Sequence, residues 1–312
     1  MIPSYFQTDS WGKFKAGFGW TARRYDNLLG LARRLPLGKS MLYFPEIPFS
    51  EESIATIGKI IRDGTHKKHI FTRFEFLTPW SQPAAQTLYE LGLQKSFEDV
   101  QPEHRQWVSL EGSEEEILKQ MKPKGRYNVG VAERNNLQVK TGLTNQLLSD
   151  FFDLYFETAK RSKFSGRGAK YFQDLCNLLA ENNQGEIVAV YQGQKALAAG
   201  IILYYGSMAS YLYGGSVRQP AERSLMAPYL MHWEVMKRAK SRGCKIYDLL
   251  AISPPADAAA SAAFNHPYAG LTRFKTQFGG QSIHLLGSWD LIGSRFWYTM
   301  YRFAERRRRK AF

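Results

Sequence analysis

The stretch from Tyr211 to Asp248 constrains this chain most, because it reads strand, loop, helix, strand without interruption. YLYGGS suits a buried strand ending in a glycine turn, and VRQPAER carries Arg218, Glu222 and Arg223 to the lip of the next element. Met226, Leu230 and Trp233 make an apolar stripe with Leu225, Tyr229 and Met236 beside it, and Pro228 falls in a first turn where a missing N–H costs little. Lys237, Arg238, Lys240 and Arg242 oppose the negative pole of the helix dipole, and Gly243 suits the left-handed cap. These signals predict a helix over 224–242.

A strand, loop and helix of this kind is how acetyltransferase-type folds cradle a diphosphate, with backbone N–H groups at the helix start and glycines that let the anion approach. Here the positions three and five beyond Arg223 are Met226 and Pro228, so an acyl-CoA cofactor is disfavoured. The rest of the chain alternates in the same way. EESIATIGKIIRDG reads as an amphipathic helix, HIFTRFEF as a strand, PAAQTLYELG as a helix and HRQWVSL as a strand. After a capping box at Ser113–Glu116 come helical pieces, the strand LQVKTG, two helices, and a meander into YLYGGS. The fold expected is α/β (α+β) with two tandem acetyltransferase-like domains, the second inserted in the first, and no coiled-coil arm. The boundaries expected are 1–112 plus 285–312, and 113–284.

The 312 residues suffice for two cores, and no apolar run approaches the length of a membrane span. The start lacks a basic segment followed by an apolar run, and Cys176 and Cys244 sit in apolar patterns, which fits a reducing compartment. The expected setting is the cytoplasm. A formal charge of +14 favours phosphate-bearing partners: nucleic acid, a nucleotide diphosphate or anionic lipid. His66 and His69 flank two lysines and read as solvated; with no third ligand, no metal site is expected. Arg73 and Glu75 alternate on one strand face and read as a structural ion pair.

Four ordered stretches then carry a resemblance. VQPEHRQWVSL, SEEEILKQMKPKGRYNVGVAE, YLYGGS with RSLMAPYLMHWE, and HPYAGLTRFKTQFGG together resemble the Fem family of peptidoglycan bridge-forming aminoacyltransferases. The resemblance implies transfer of an amino acid from aminoacyl-tRNA to the stem peptide of a peptidoglycan precursor, UDP-linked or lipid-linked, by a monomer needing no cofactor. It implies a catalytic Lys275, in an Arg-Phe-Lys motif with Phe274, whose ammonium stabilises the oxyanion. Arg223 and Lys39 become diphosphate ligands, Tyr229 and Tyr213 substrate contacts, and Arg126 a motif residue of binding or structural role. One departure stands out: where the family usually has a glycine pair after KIYDL, this chain has Leu250 and Ala251, and the shape of the amino-acid pocket turns on that difference.

No general base is singled out among Asp248, Asp99 and Glu98. In the tail, Phe296, Trp297, Tyr301 and Phe303 alternate with Arg295 and Arg302 before Arg306–Lys310, so 295–312 suits an anionic membrane surface at the inner face of the plasma membrane or, alternatively, a tRNA backbone. Two other readings of the whole chain remain open: a CoA-dependent N-acyltransferase of a small amine, and a non-catalytic basic protein that binds RNA or membrane.

Overall fold

The computed structural model describes residues 2–162, 164–254 and 268–310, with side chains through 307. Most of the proline- and alanine-rich loop after Asp248, including the HP of the fourth motif, lies outside the described residues. In chain order the strands are β1 (Trp20–Tyr25), β2 (Leu28–Arg34), β3 (Ser40–Ile47), β4 (Phe71–Pro79), β5 (Gln94–Lys95), β6 (His104–Ser109), β7 (Gln138–Gly142), β8 (Gly185–Gln192), β9 (Lys195–Tyr205), β10 (Met208–Ser216), β11 (Ile246–Ala251) and β12 (Gln281–Ile292). The helices are α1 (Asp9–Ala16), α2 (Glu51–Arg62), α3 (Gln82–Glu90), α4 (Glu114–Gln120), α5 (Pro123–Arg134), α6 (Asn145–Ser162), α7 (Ala169–Glu181), α8 (Pro220–Arg223), α9 (Ala227–Ser241), α10 (Ala269–Lys275) and α11 (Arg295–Lys310).

The chain divides into two units, Met1–Glu103 with His284–Phe312, and His104–Ile283. The expected boundary at 112 moves back to 103 because β6 pairs antiparallel with β11, Asp248 opposite Trp107, and so belongs to the second unit. Both units are α/β, and each sheet has the same grammar. In the first, β1, β2 and β3 run antiparallel, β4 joins β3 in parallel through α2, and β12 closes antiparallel on β4. In the second, β7 to β10 run antiparallel, β11 joins β10 in parallel through α9, and β6 closes antiparallel on β11. Parallel neighbours need a crossover, and the helices α2 and α9 are those crossovers. Among the described residues the longest helix is α6, of 18 residues, and no helical-hairpin arm is present.

The core of the first unit gathers Leu42, Phe44, Ile57, Phe74, Leu88 and Trp289 on one sheet face. On the other face lies a buried polar network. Arg73 does not pair with Glu75: it binds Asp290 at 2.7 Å and Glu98 at 2.9 Å, while Glu75 accepts from Tyr43, the Gln101 N–H and Ser288. The alternation put Arg73 and Glu75 on one face correctly, but partners from β12 and the loop after β5 reach each of them first. The two histidines read as solvated are also partly enclosed, His66 buried and His69 bonded to Ser40 Oγ at 2.8 Å.

In the second unit α6 and α7 cover the sheet around Phe151 and Phe172, whose rings meet edge to face at 5.1 Å. The expected helix over 224–242 is α9, which begins only at Ala227. Met226 adopts φ 58°, in the left-handed region, and this breaks the chain between the short α8 and α9.

Candidate active site

The parallel pairing of β10 with β11 stops at Ser210 and Asp248, although both strands continue. Each strand is irregular at that point, β10 between Tyr211 and Tyr213 and β11 between Asp248 and Ala251. In a regular strand Tyr211 and Tyr213 would share a face. The bulge separates them: Tyr211 packs on His232 of α9 at 4.7 Å, while Tyr213 packs on Tyr155 and Phe172 of α6 and α7. Tyr213, expected to contact substrate, is half-buried on the α6–α7 side, with its hydroxyl 3.4 Å from that of Tyr171.

Lys275 lies beside the point where the strands part. The Arg-Phe-Lys motif ends the helix α10, and Lys275 is its last residue, only 3% exposed. Its placement is fixed by the two glycines that follow. Gly279 and Gly280 have φ of 77° and 73°, and a Cβ on either would lie 2.2 Å from the Gln120 carbonyl oxygen or 2.0 Å from that of Trp107. Only glycine tolerates both the dihedral and the approach, so the chain after α10 is pinned against the main chain of β6 and α4.

The Lys275 ammonium donates to the Ala251 carbonyl oxygen at 2.8 Å. Among the described residues this is its hydrogen-bond partner, leaving two N–H bonds of a three-donor group for something else. Burial pushes its pKa down to about 7, with Asp248 pulling it up and Arg105 pushing it further down. Asp248 and Arg105 are themselves buried and form an ion pair at 3.0 Å, and Asp248 also accepts from the Leu250 N–H at 2.7 Å. Leu250 sits at φ 56°, a conformation that suits glycine, at the position where the family pattern calls for a glycine pair.

An aromatic wall surrounds the lysine. Phe274 meets Tyr229 at 5.1 Å, His232 at 5.5 Å and Phe278 at 5.2 Å. Tyr229 is half-buried, and burial raises its pKa while a hydrogen bond with Asn128 lowers it. His232 is hydrogen-bonded to Tyr247 at 2.7 Å, and burial, then the charge of Lys275, lowers its pKa to about 3, so the ring is neutral. The arrangement supplies one buried ammonium beside the Arg105–Asp248 ion pair and a neutral aromatic wall, where a developing negative charge is stabilised more strongly than in water.

Of the residues singled out in the sequence, Lys275, Phe274 and Tyr229 are therefore brought together. Arg223 ends α8 with its guanidinium exposed, close enough to Arg161 to depress the latter's pKa behind the larger effect of burial. Arg126 caps α4, donating to the carbonyl oxygens of Lys119 and Met121. Lys39 belongs to the first unit, where its Nζ stands 4.7 Å over the Trp297 ring. Sequence reasoning missed Arg105, Tyr211, Tyr247 and His232. The last had one signal, a lone histidine on the apolar face of α9, but a satisfied core histidine looks the same.

At the start of α9 the Met226 N–H is used by the Arg223 carbonyl at 3.2 Å, and Pro228 has none to offer. Neither main-chain position presents a donor to an anion.

Comparison with known proteins gives a consistent picture. A model of the FemAB family matches residues 87–185 and 180–306. UDP-N-acetylmuramoylpentapeptide-lysine N(6)-alanyltransferase of Weissella viridescens is 28% identical over 135 residues, 43% of this chain and 39% of that one. The match thus spans well under half the length of that relative. The crystal structure of FemX superposes with a TM-score of 0.78 at 18% identity, covering 96% of this chain and 94% of the other. L-PGS from Bacillus licheniformis superposes with a TM-score of 0.58 at 13% identity, covering 88% and 85%. These two likenesses speak for the fold.

Proposed function

The chain belongs to the FemAB family, and from that premise we propose that it transfers an amino acid from aminoacyl-tRNA to an amine of the stem peptide of a peptidoglycan precursor. The observation that carries this reading is the buried Lys275 ammonium, fixed by Ala251 and facing no carboxylate at ion-pair distance among the described residues. In the reaction the acceptor nitrogen attacks the ester carbonyl, and the carbonyl oxygen becomes an oxyanion. Lys275 stabilises that charge. The intermediate collapses with cleavage of the bond to the tRNA ribose oxygen, which takes up the proton that the amine gives up. The Phe274, Tyr229 and Phe278 rings exclude water, which would otherwise hydrolyse the ester.

The relative's name, a lysine N(6)-alanyltransferase, makes alanyl-tRNA the first donor to test and a lysine ε-amine the first acceptor. Arg223 holds the diphosphate that either precursor form carries, because its planar fork bonds two oxygens at once. A CoA donor is the second reading. The occupied Met226 N–H and the missing one at Pro228 speak against it. The purified protein is incubated with tRNA charged with labelled alanine, glycine or serine, with UDP-linked and lipid-linked precursor, and in parallel with labelled acetyl-CoA. RNase-sensitive label in the precursor supports the reading; label arriving only from acetyl-CoA replaces it.

A further inference from the structure

The last helix is fastened along one stripe and bare along the opposite one. Tyr298 donates to Asp290 at 2.7 Å and Tyr301 to Glu98 at 3.1 Å, and both rings pack on Phe71. Arg302 lies over Phe97 at 5.3 Å. Positions three and four apart share a helix face, so this fastened stripe turns Phe296, Met300 and Phe303 to the other side. They are 66%, 48% and 51% exposed. Arg307 stacks over Phe303 at 4.2 Å, and Arg295 and Arg306 are exposed beside the row. Tyr301, which composition alone would add to an outward aromatic face, is turned away from it, whereas the half-buried Trp297 meets the Phe296 ring edge to face at 5.2 Å.

A second element lies next to this row. The turn between β2 and β3 holds Leu37 at φ 59°, a conformation strained for leucine, with 77% of the residue exposed. Exposed Arg33 and Arg34 precede it, and Lys39 follows, its Nζ over the Trp297 ring of the helix. Turn and helix are therefore neighbours within the first unit.

We propose that Leu37 and the Phe296–Met300–Phe303 row form a docking surface for an anionic lipid bilayer. The apolar side chains enter the boundary between headgroups and acyl chains, and the flanking arginines and Lys39 meet lipid phosphates. A contiguous apolar row rimmed by cations fits this partner. Nucleic acid fits it less well, because Leu37 and Met300 have no ring to stack on a base.

Vesicle binding reads this surface without reference to the transfer reaction, so its failure would leave the reaction standing, and the converse. The 312-residue protein is sedimented with phosphatidylcholine vesicles with and without phosphatidylglycerol. Compared with it are Leu37→Ser, the triple variant Phe296→Ser/Met300→Ser/Phe303→Ser, and Arg306→Glu/Arg307→Glu, all checked for an unchanged melting temperature. Binding that needs phosphatidylglycerol, and that weakens roughly tenfold or more in the triple variant, is the expected result. Leu37→Ser and the double glutamate variant weaken it as well. No sedimentation with phosphatidylglycerol vesicles, or sedimentation of the triple variant equal to the wild type, overturns the proposal. So does a triple variant that loses binding to bulk tRNA while keeping its hold on vesicles.

Discussion

The ammonium of Lys275 is held at 2.8 Å by the carbonyl oxygen of Ala251, a residue the bulge in β11 turns toward it. Because burial lowers the Lys275 pKa from 10.5 to about 7, its charge state changes near neutrality. An ammonium that stabilises an oxyanion loses that capacity as pH rises above about 7. The ratio of transfer rates, wild type over Lys275→Arg, therefore falls by about tenfold per pH unit above that point, since the guanidinium does not titrate. The ratio cancels titration of the attacking amine. A ratio that rises with pH would make Lys275 a base instead.

The same shift predicts a slope in stability. Between about pH 7 and 10.5 the unfolded chain carries a proton on Lys275 that the folded chain lacks, so stability rises with pH across that window and levels off above it. Chemical denaturation at several pH values checks this against Lys275→Met, which has no such slope from this site.

Leu250 at φ 56° is a strained residue in a place that glycine would fill at ease. Leu250→Gly relieves up to about 1 kcal/mol of backbone strain, offset in part by the greater freedom of the unfolded chain. A melting temperature equal to or above the wild type is expected. A marked drop would mean that the leucine side chain, not its backbone, is what the site requires.

Arg105 and Asp248 form a buried pair, so deleting one partner leaves the other's buried charge without its counter-charge at 3.0 Å. Arg105→Met or Asp248→Leu alone costs about 3–5 kcal/mol, whereas Arg105→Met/Asp248→Leu recovers much of that loss. Transfer stays low in the double variant, because Asp248 no longer supports the charge on Lys275. A double-mutant cycle in urea, with transfer rates measured alongside, separates the two effects.

The strand, helix and strand around Tyr211–Asp248 were legible because local periodicity and cap residues decide them. The site was less so, for reasons that lie outside any window of sequence. Tyr211 and Tyr213 are equivalent by alternation, and only the bulge between them sends one to α9 and the other to the α6–α7 side. Arg273, Phe274 and Lys275 end a helix whose exit is set by Gly279 and Gly280 against the distant main chain of Trp107 and Gln120. Arg105 and Asp248 are 143 residues apart, and nothing local pairs them. The helix expected from 224 begins only at Ala227, because Met226 turns left-handed where apolar periodicity would have continued it.

Arg223 and Arg126 divide by role. Arg223→Ala leaves the melting temperature unchanged, its guanidinium being exposed, and raises the KM for precursor roughly tenfold with kcat little altered. Arg126→Ala removes the donor to the end of α4 and lowers stability by about 1 kcal/mol, with KM retained. Steady-state kinetics and thermal melts on both variants test the division. The opposite pattern would place the diphosphate at α5.

The most direct test is a single-turnover measurement of label passing from alanyl-tRNA to precursor, comparing wild type, Lys275→Ala and Lys275→Met. The account predicts a rate lower by about 10²–10³ in both variants, with folding intact and precursor binding retained. Transfer at near wild-type rate in a folded Lys275→Ala protein would contradict it.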